Sequence, residues 1–149
     1  LTAAFLTANG ADKPQAARLL ARFYADARFC PEAIATLANI ETWADEDGGL
    51  AARCEVMLGR FDAALDRLER AGRTPDATAR GIRALALAGL GAYEAAAADF
   101  AGAAPPQGDE ATFFLAKAEA MLAAERLEEA RSGLAAAGAL APGAGAAAL

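Results

Sequence analysis

The sequence predicts an all-α fold, built as a solenoid of helix pairs, and two observations indicate it. An alanine recurs in the same setting at four positions, Ala33, Ala64, Ala96 and Ala130, separated by 31, 32 and 34 residues. A period in the low thirties is typical of a helix-turn-helix unit repeated along a chain. Alanine, the strongest helix former, also makes up about a third of the residues, and there are no β-branched runs that would form a sheet.

These four residues, called the key alanines below, have similar neighbours. Three residues before them stand Cys30, Phe61, Tyr93 and Leu127. Four residues after them stand Leu37, Leu68, Phe100 and Leu134. Because the setting recurs four times in phase, repetition explains it better than a chance match in an alanine-rich chain.

The first predicted unit, residues 14–44, has two helices, opened by Pro14 and Pro31. We expect the apolar stripe of its first helix to comprise Leu19, Leu20, Phe23 and Tyr24. The second helix carries Ile34, Leu37 and Ile40.

Three further units are predicted over residues 45–75, 76–108 and 109–142. Their internal turns fall at 59–62, 91–93 and 125–127, where glycine or charged residues interrupt the apolar pattern. Residues 1–13 are predicted to be a partial helix or capping segment. Residues 143–149 are predicted to be a flexible tail.

The block around each key alanine resembles the tetratricopeptide repeat, whose signature includes an aromatic residue, Ala-x3-Phe and a closing proline. The segments Gly59-Arg-Phe-Asp-Ala-Ala64-Leu and Gly91-Ala-Tyr-Glu-Ala-Ala96-Ala carry the resemblance. The family's small first-helix position is matched by Ala21, Ala52, Ala84 and Ala118, and its closing proline by Pro75, Pro105 or Pro106, and Pro142. The resemblance implies a right-handed superhelix of antiparallel helix pairs. Cys30 and Glu55 depart from it, because they stand where the family usually has aromatic residues.

Composition argues against several classes of function. The net charge of −6 lacks the basic footprint that nucleic-acid binding requires, and every apolar run is too short to span a membrane. The chain has no histidine and one serine, so we expect no nucleophile–base pair, no enzymatic activity and no cofactor. Cys30 and Cys54 are too few for a zinc site, so no metal is predicted. We expect an axial offset of roughly 7 Å between them, which disfavours a disulfide and leaves two small buried hydrophobes.

The resemblance implies that the first helices of successive units line a concave groove that takes a peptide. The candidate groove residues are Arg18, Arg22, Arg53, Val56, Met57, Leu85, Glu119 and Leu122. Arg22 and Arg53 occupy equivalent positions, so we expect their guanidinium groups side by side, an arrangement suited to a carboxylate. The alternative is that these arginines are ordinary solvated side chains. Beside Leu85, Gly81 offers no side chain and leaves a thin wall, or a place of close contact with another protein.

The sequence therefore predicts a non-enzymatic module that binds a protein or peptide partner. Two alternatives stay open: a structural module that forms homo-oligomers, and a regulatory domain of a longer protein. Twelve arginines against two lysines, with abundant alanine, are typical of a high-GC bacterium. The composition does not select between cytoplasm and periplasm.

Overall fold

The computed structural model describes residues 13–70 and 76–140, and within these ranges the regular structure is entirely α-helical. This confirms the predicted all-α class. The helices are α1 Lys13–Asp26, α2 Cys30–Leu37, α3 Asp45–Met57, α4 Phe61–Arg70, α5 Ala77–Gly89, α6 Tyr93–Phe100, α7 Glu110–Ala123 and α8 Leu127–Leu140. No helix in the described ranges has both the length and the apolar character needed to cross a bilayer. The expectations for residues 1–12, Pro75 and residues 141–149 lie outside these ranges.

The chain divides into two compact units, Leu1–Arg73 and Thr74–Leu149. The first unit holds two packed helix pairs, α1 with α2 and α3 with α4, and the second holds α5 with α6 and α7 with α8. Within the first unit, α3 also packs against both α1 and α2. Within the second unit, α7 packs in the same way against both α5 and α6. The two units therefore repeat one pattern of helix contacts.

A three-residue turn joins the helices of every pair. Its middle residue is left-handed in each case, with φ values of 67°, 72°, 77° and 58° at Arg28, Gly59, Gly91 and Glu125. The next amide donates to the carbonyl oxygen five residues back, in the bonds Phe29 to Tyr24, Arg60 to Glu55, Ala92 to Leu87 and Arg126 to Met121. This pairing is the Schellman motif that ends many helices. The four turns have the same spacing as the key alanines, so backbone geometry repeats with the sequence.

Small side chains fill the contact between the helices of each pair. All four key alanines are buried, and so are Ala21, Ala52, Ala84 and Ala118 on the first helices. The key alanines also donate backbone hydrogen bonds to the residues just before their helices, Phe29, Arg60, Ala92 and Arg126. Methyl groups at a helix crossing allow two backbones to approach closely, which explains why alanine recurs there.

The predicted apolar stripe of α1 is partly wrong. Leu19 and Phe23 are each 51% exposed, whereas the buried residues of α1 are Ala17, Leu20, Ala21 and Ala25. Spacings of three and four residues place these four on one helix face. The small residues therefore make the contact, and the larger Leu19 and Phe23 lie outside it.

The large residues three before and four after the key alanines, on the second helices, vary in burial. Leu37 and Phe100 are fully buried, but Tyr93, Leu127 and Leu134 are exposed. Tyr93 is thus not a core residue, even though it matches the family's turn aromatic. In the second unit the aromatic core is formed by Phe100 and Phe113, whose rings meet edge to face at 5.1 Å.

Gly81 is the place where the α6–α7 connection crosses α5. The amide of Ala104 donates to the carbonyl oxygen of Ala77 at 2.8 Å, which holds the connection against the helix. A Cβ atom at Gly81 would collide with the carbonyl oxygen of Ala104 and lie 3.3 Å from the ring of Phe113. The expectation of a thin groove wall at Gly81 is therefore wrong, because the backbone at Ala104 fills the space beside it.

Candidate functional site

Arg18 joins α1 to α3. Its Nε donates to both carboxylate oxygens of Asp47 at 3.0 and 2.9 Å, and its Nη2 donates to the carbonyl oxygen of Thr42 at 3.2 Å. Asp47 is buried, and its Oδ2 also accepts from the amide of Ala44 at 2.7 Å, at the start of α3. Because the Arg18 guanidinium satisfies a buried carboxylate, its primary role here is structural.

Arg22 and Arg53 differ in exposure, and both have carboxylate partners. The Arg22 side chain is 61% exposed, and its Nη2 lies 3.6 Å from the Oε2 of Glu46. The Arg53 side chain is only 11% exposed, and its Nη1 lies 3.2 Å from the Oδ1 of Asp26. Both pairs connect α1 with α3. A carboxylate ligand would therefore have to compete with Glu46 and Asp26 for the two guanidinium groups. The sequence pattern did not indicate these ion pairs.

Val56 and Met57 are half-buried at the end of α3. Met57 packs against the core cluster that contains Cys30, Ala33 and Cys54. Its Sδ accepts a hydrogen bond from the Cys30 thiol at 3.5 Å. Met57 is therefore partly a core residue of the first unit.

Leu85 is only 7% exposed, so its assignment to an accessible groove is wrong. The reason lies in the surroundings of α5, which packs against α6, α7 and the connection at Ala104. A repeat register identifies equivalent positions, but the connections that pack beside each position, such as the one at Ala104 on α5, also set how far it is buried. Glu119, at the equivalent position of α7, is exposed.

An exposed apolar face runs along α7. Leu122 is 53% exposed and Leu115 is similarly accessible, with Glu119 between them. Residues separated by four and three positions share one face of a helix. We call Leu115, Glu119 and Leu122 the α7 face. Two of its residues, Glu119 and Leu122, belong to the predicted groove, and both are accessible.

Sequence reasoning missed an ion-pair network behind the departure at Glu55. This residue is 4% exposed, and its Oε1 accepts from the Nε and Nη2 of Arg67 at 3.2 and 2.8 Å. The Nη1 of Arg60 lies 3.5 Å from the other oxygen, Oε2, which is buried and accepts no hydrogen bond. Arg67 also lies over the ring of Trp43 at 5.4 Å. Glu55 thus takes the place of the family's usual aromatic residue, and its ion pair with Arg67 joins α3 to α4.

Cys30 and Cys54 are buried free thiols of one cluster. The expectation of two small buried side chains without a disulfide is confirmed. Burial, followed by the hydrogen bond with Cys30, raises the pKa of the Cys54 thiol well above its ordinary value of 9.0. Cys54 is therefore protonated at neutral pH.

The described residues contain no cluster of three or more histidine, cysteine, aspartate and glutamate side chains arranged to hold a metal ion. We found no match to the chain among protein-family models, curated proteins or solved structures. The likeness to the tetratricopeptide repeat therefore rests on the residue pattern.

Proposed function

We propose that the chain is a non-enzymatic protein-interaction module of the tetratricopeptide type, a solenoid built from antiparallel helix pairs. The repeated Schellman turns, the buried key alanines and the shared contact pattern of the two units support this architecture. In a solenoid each repeat packs only against its neighbours and leaves an extended surface for partners.

The α7 face is the observation that carries the proposed binding function. It lies on a first helix, where the family resemblance puts the groove, and two leucines about half exposed flank a carboxylate. Such a face suits an amphipathic peptide with two apolar side chains on either side of a lysine or arginine. The apolar contacts supply affinity, and Glu119 selects the basic residue.

A peptide library displayed against the full chain tests this proposal. We expect enriched peptides to show the apolar–basic–apolar pattern. Leu115→Asp together with Leu122→Asp should weaken their binding at least tenfold, because a charge replaces each apolar contact. Glu119→Lys should shift selection towards acidic peptides.

Leu127→Asp together with Leu134→Asp is the matched control. Both leucines are equally exposed but lie on the second helix α8. Binding should persist in this control. Equal loss in both double variants would contradict a first-helix site, and enrichment of no peptide at all would overturn the proposed function.

Self-association is the second candidate, because ten large apolar residues are exposed within the described part of the chain. Where such residues form a contiguous patch, the patch is typical of an interaction site. Light scattering over a wide concentration range separates the two candidates. A mass that stays monomeric throughout would exclude this second candidate and leave the first intact.

A further inference from the structure

Three of the four sulfur atoms of the chain meet in the first unit. Cys30 is the first residue of α2, and Cys54 and Met57 lie three residues apart on α3, which places both on one face of that helix. The Cys30 Sγ lies 3.5 Å from the Met57 Sδ, and Cys30 and Cys54 belong to one buried cluster against which Met57 packs. The fourth sulfur, that of Met121, lies in the second unit.

We propose that Cys30, Cys54 and Met57 form a binding site for a soft monovalent metal ion of the Cu(I) class. Thiolate and thioether sulfurs are the ligands that select such ions over magnesium, calcium or manganese. If each metal–sulfur bond is about 2.3 Å, as in zinc thiolate sites, three sulfurs around one ion stand roughly 4 Å apart. The 3.5 Å between Cys30 and Met57 is close to that spacing. A structural zinc site needs a fourth ligand, which this cluster does not supply.

The charges around the cluster fit the ion. Binding replaces two thiol protons with one monovalent cation: M⁺ and two thiols give a bis-thiolate complex of charge −1 and two released protons. The guanidinium of Arg28 faces this centre, with its Nη1 3.6 Å from the Met57 Sδ. Arg53 and Glu55, on either side of Cys54 in the chain, carry opposite charges and act on its thiol in opposite directions. The Arg28 cation would therefore be the main charge that stabilises the negative complex.

The cluster also has a route for an ion. Cys30 and Cys54 are buried, but Met57 is half-buried and the Arg28 side chain beside it is exposed. An ion would meet the thioether first and then reach the two thiols. Because both thiols are buried, large alkylating reagents reach them more slowly than a single ion that enters beside Met57.

The test is an anaerobic titration of the full, reduced chain with Cu(I), in competition with a chromogenic Cu(I) chelator. We expect one ion per chain. Cys30→Ala and Cys54→Ala should each weaken the affinity at least about 100-fold, because each removes an anionic ligand. Met57→Leu should weaken it about tenfold, because it removes the neutral ligand and keeps the side-chain volume.

Met121→Leu is the matched control and should leave Cu(I) affinity unchanged. Far-ultraviolet circular dichroism checks that each variant is folded. If the alanine variants do not fold, X-ray absorption of the Cu(I) complexes decides, with three sulfur ligands in the wild type and two in Met57→Leu.

Several results would overturn the site. They are Zn(II) binding as tight as Cu(I), an affinity unchanged in Met57→Leu, and Cu(I) binding no tighter in the wild type than in the cysteine variants. In the last case, formation of a Cys30–Cys54 disulfide under peroxide would identify the pair as a redox site instead.

Discussion

At the residue scale, Gly81 is a position where the packed α6–α7 connection leaves no room for a side chain. A methyl group there would strike the Ala104 carbonyl and approach Phe113, both held by the core of the second unit. We expect Gly81→Ala to lower the free energy of unfolding by about 1–3 kcal/mol, the usual cost of overpacking. Urea denaturation followed by circular dichroism measures it.

Gly49→Ala is the control for Gly81→Ala, because Gly49 lies 32 residues earlier at the equivalent helix position. A Cβ atom at Gly49 meets no atom within 4 Å. Alanine should therefore stabilise α3 by about 0.4–1 kcal/mol through its helix propensity and a less flexible unfolded chain. Equal effects at both sites would show that Ala104 does not pack on Gly81 in solution.

Single residues also show where sequence reasoning stops. The repeat register placed Arg22, Arg53, Leu85 and Glu119 at one equivalent position, yet two of these side chains are exposed and two are nearly buried. Burial depends on which helices and connections pack beside a position. The pattern on one helix contains no information about a carboxylate such as Asp26 that arrives from another helix.

At the scale of helices, the Glu55–Arg67 pair ties α3 to α4, and its two ends are unequal. Glu55 is buried, whereas the Arg67 side chain is partly exposed. Arg67→Ala leaves a buried carboxylate with only the longer Arg60 contact, and we expect a loss of about 2–4 kcal/mol. Glu55→Leu removes the buried charge and lets Arg67 rehydrate, so it should cost less than Arg67→Ala.

Arg70→Ala provides the control for the pair, since its ion pair with Asp66 on the same helix is exposed and 3.9 Å long. Its effect should stay below about 0.5 kcal/mol. Trp43 gives a local signal, because Arg67 lies over its ring. Its fluorescence should change in Arg67→Ala and not in Arg70→Ala. Equal stability losses in Arg67→Ala and Glu55→Leu would contradict the proposed asymmetry.

Helix pairs were the most predictable level of this fold. Each turn stands five residues before a key alanine, and a Schellman turn needs only a left-handed residue at the right place. Glu125 adopts that conformation without glycine, so at this turn the periodicity, not the residue type, gave the location. Arg28 adopts it too, at a turn that the sequence marked only by Pro31 at the opening of the next helix. Contacts over longer stretches of chain, such as those of Gly81 with Ala104 and of Glu55 with Arg67, join residues whose partners no local pattern identifies.

At the scale of the whole molecule, the proposed solenoid makes a prediction about cooperativity. The only tryptophan, Trp43, belongs to the first unit, while circular dichroism reports helices of both units. In a solenoid, repeats are coupled through nearest-neighbour interfaces, so destabilising one unit lowers the stability of the next. We therefore expect Gly81→Ala, a change in the second unit, to lower the urea midpoint of Trp43 fluorescence together with that of circular dichroism. Independent units would give a shifted dichroism transition and an unchanged Trp43 midpoint. In that case the chain is two two-pair modules, and the α7 face would belong to the second module alone.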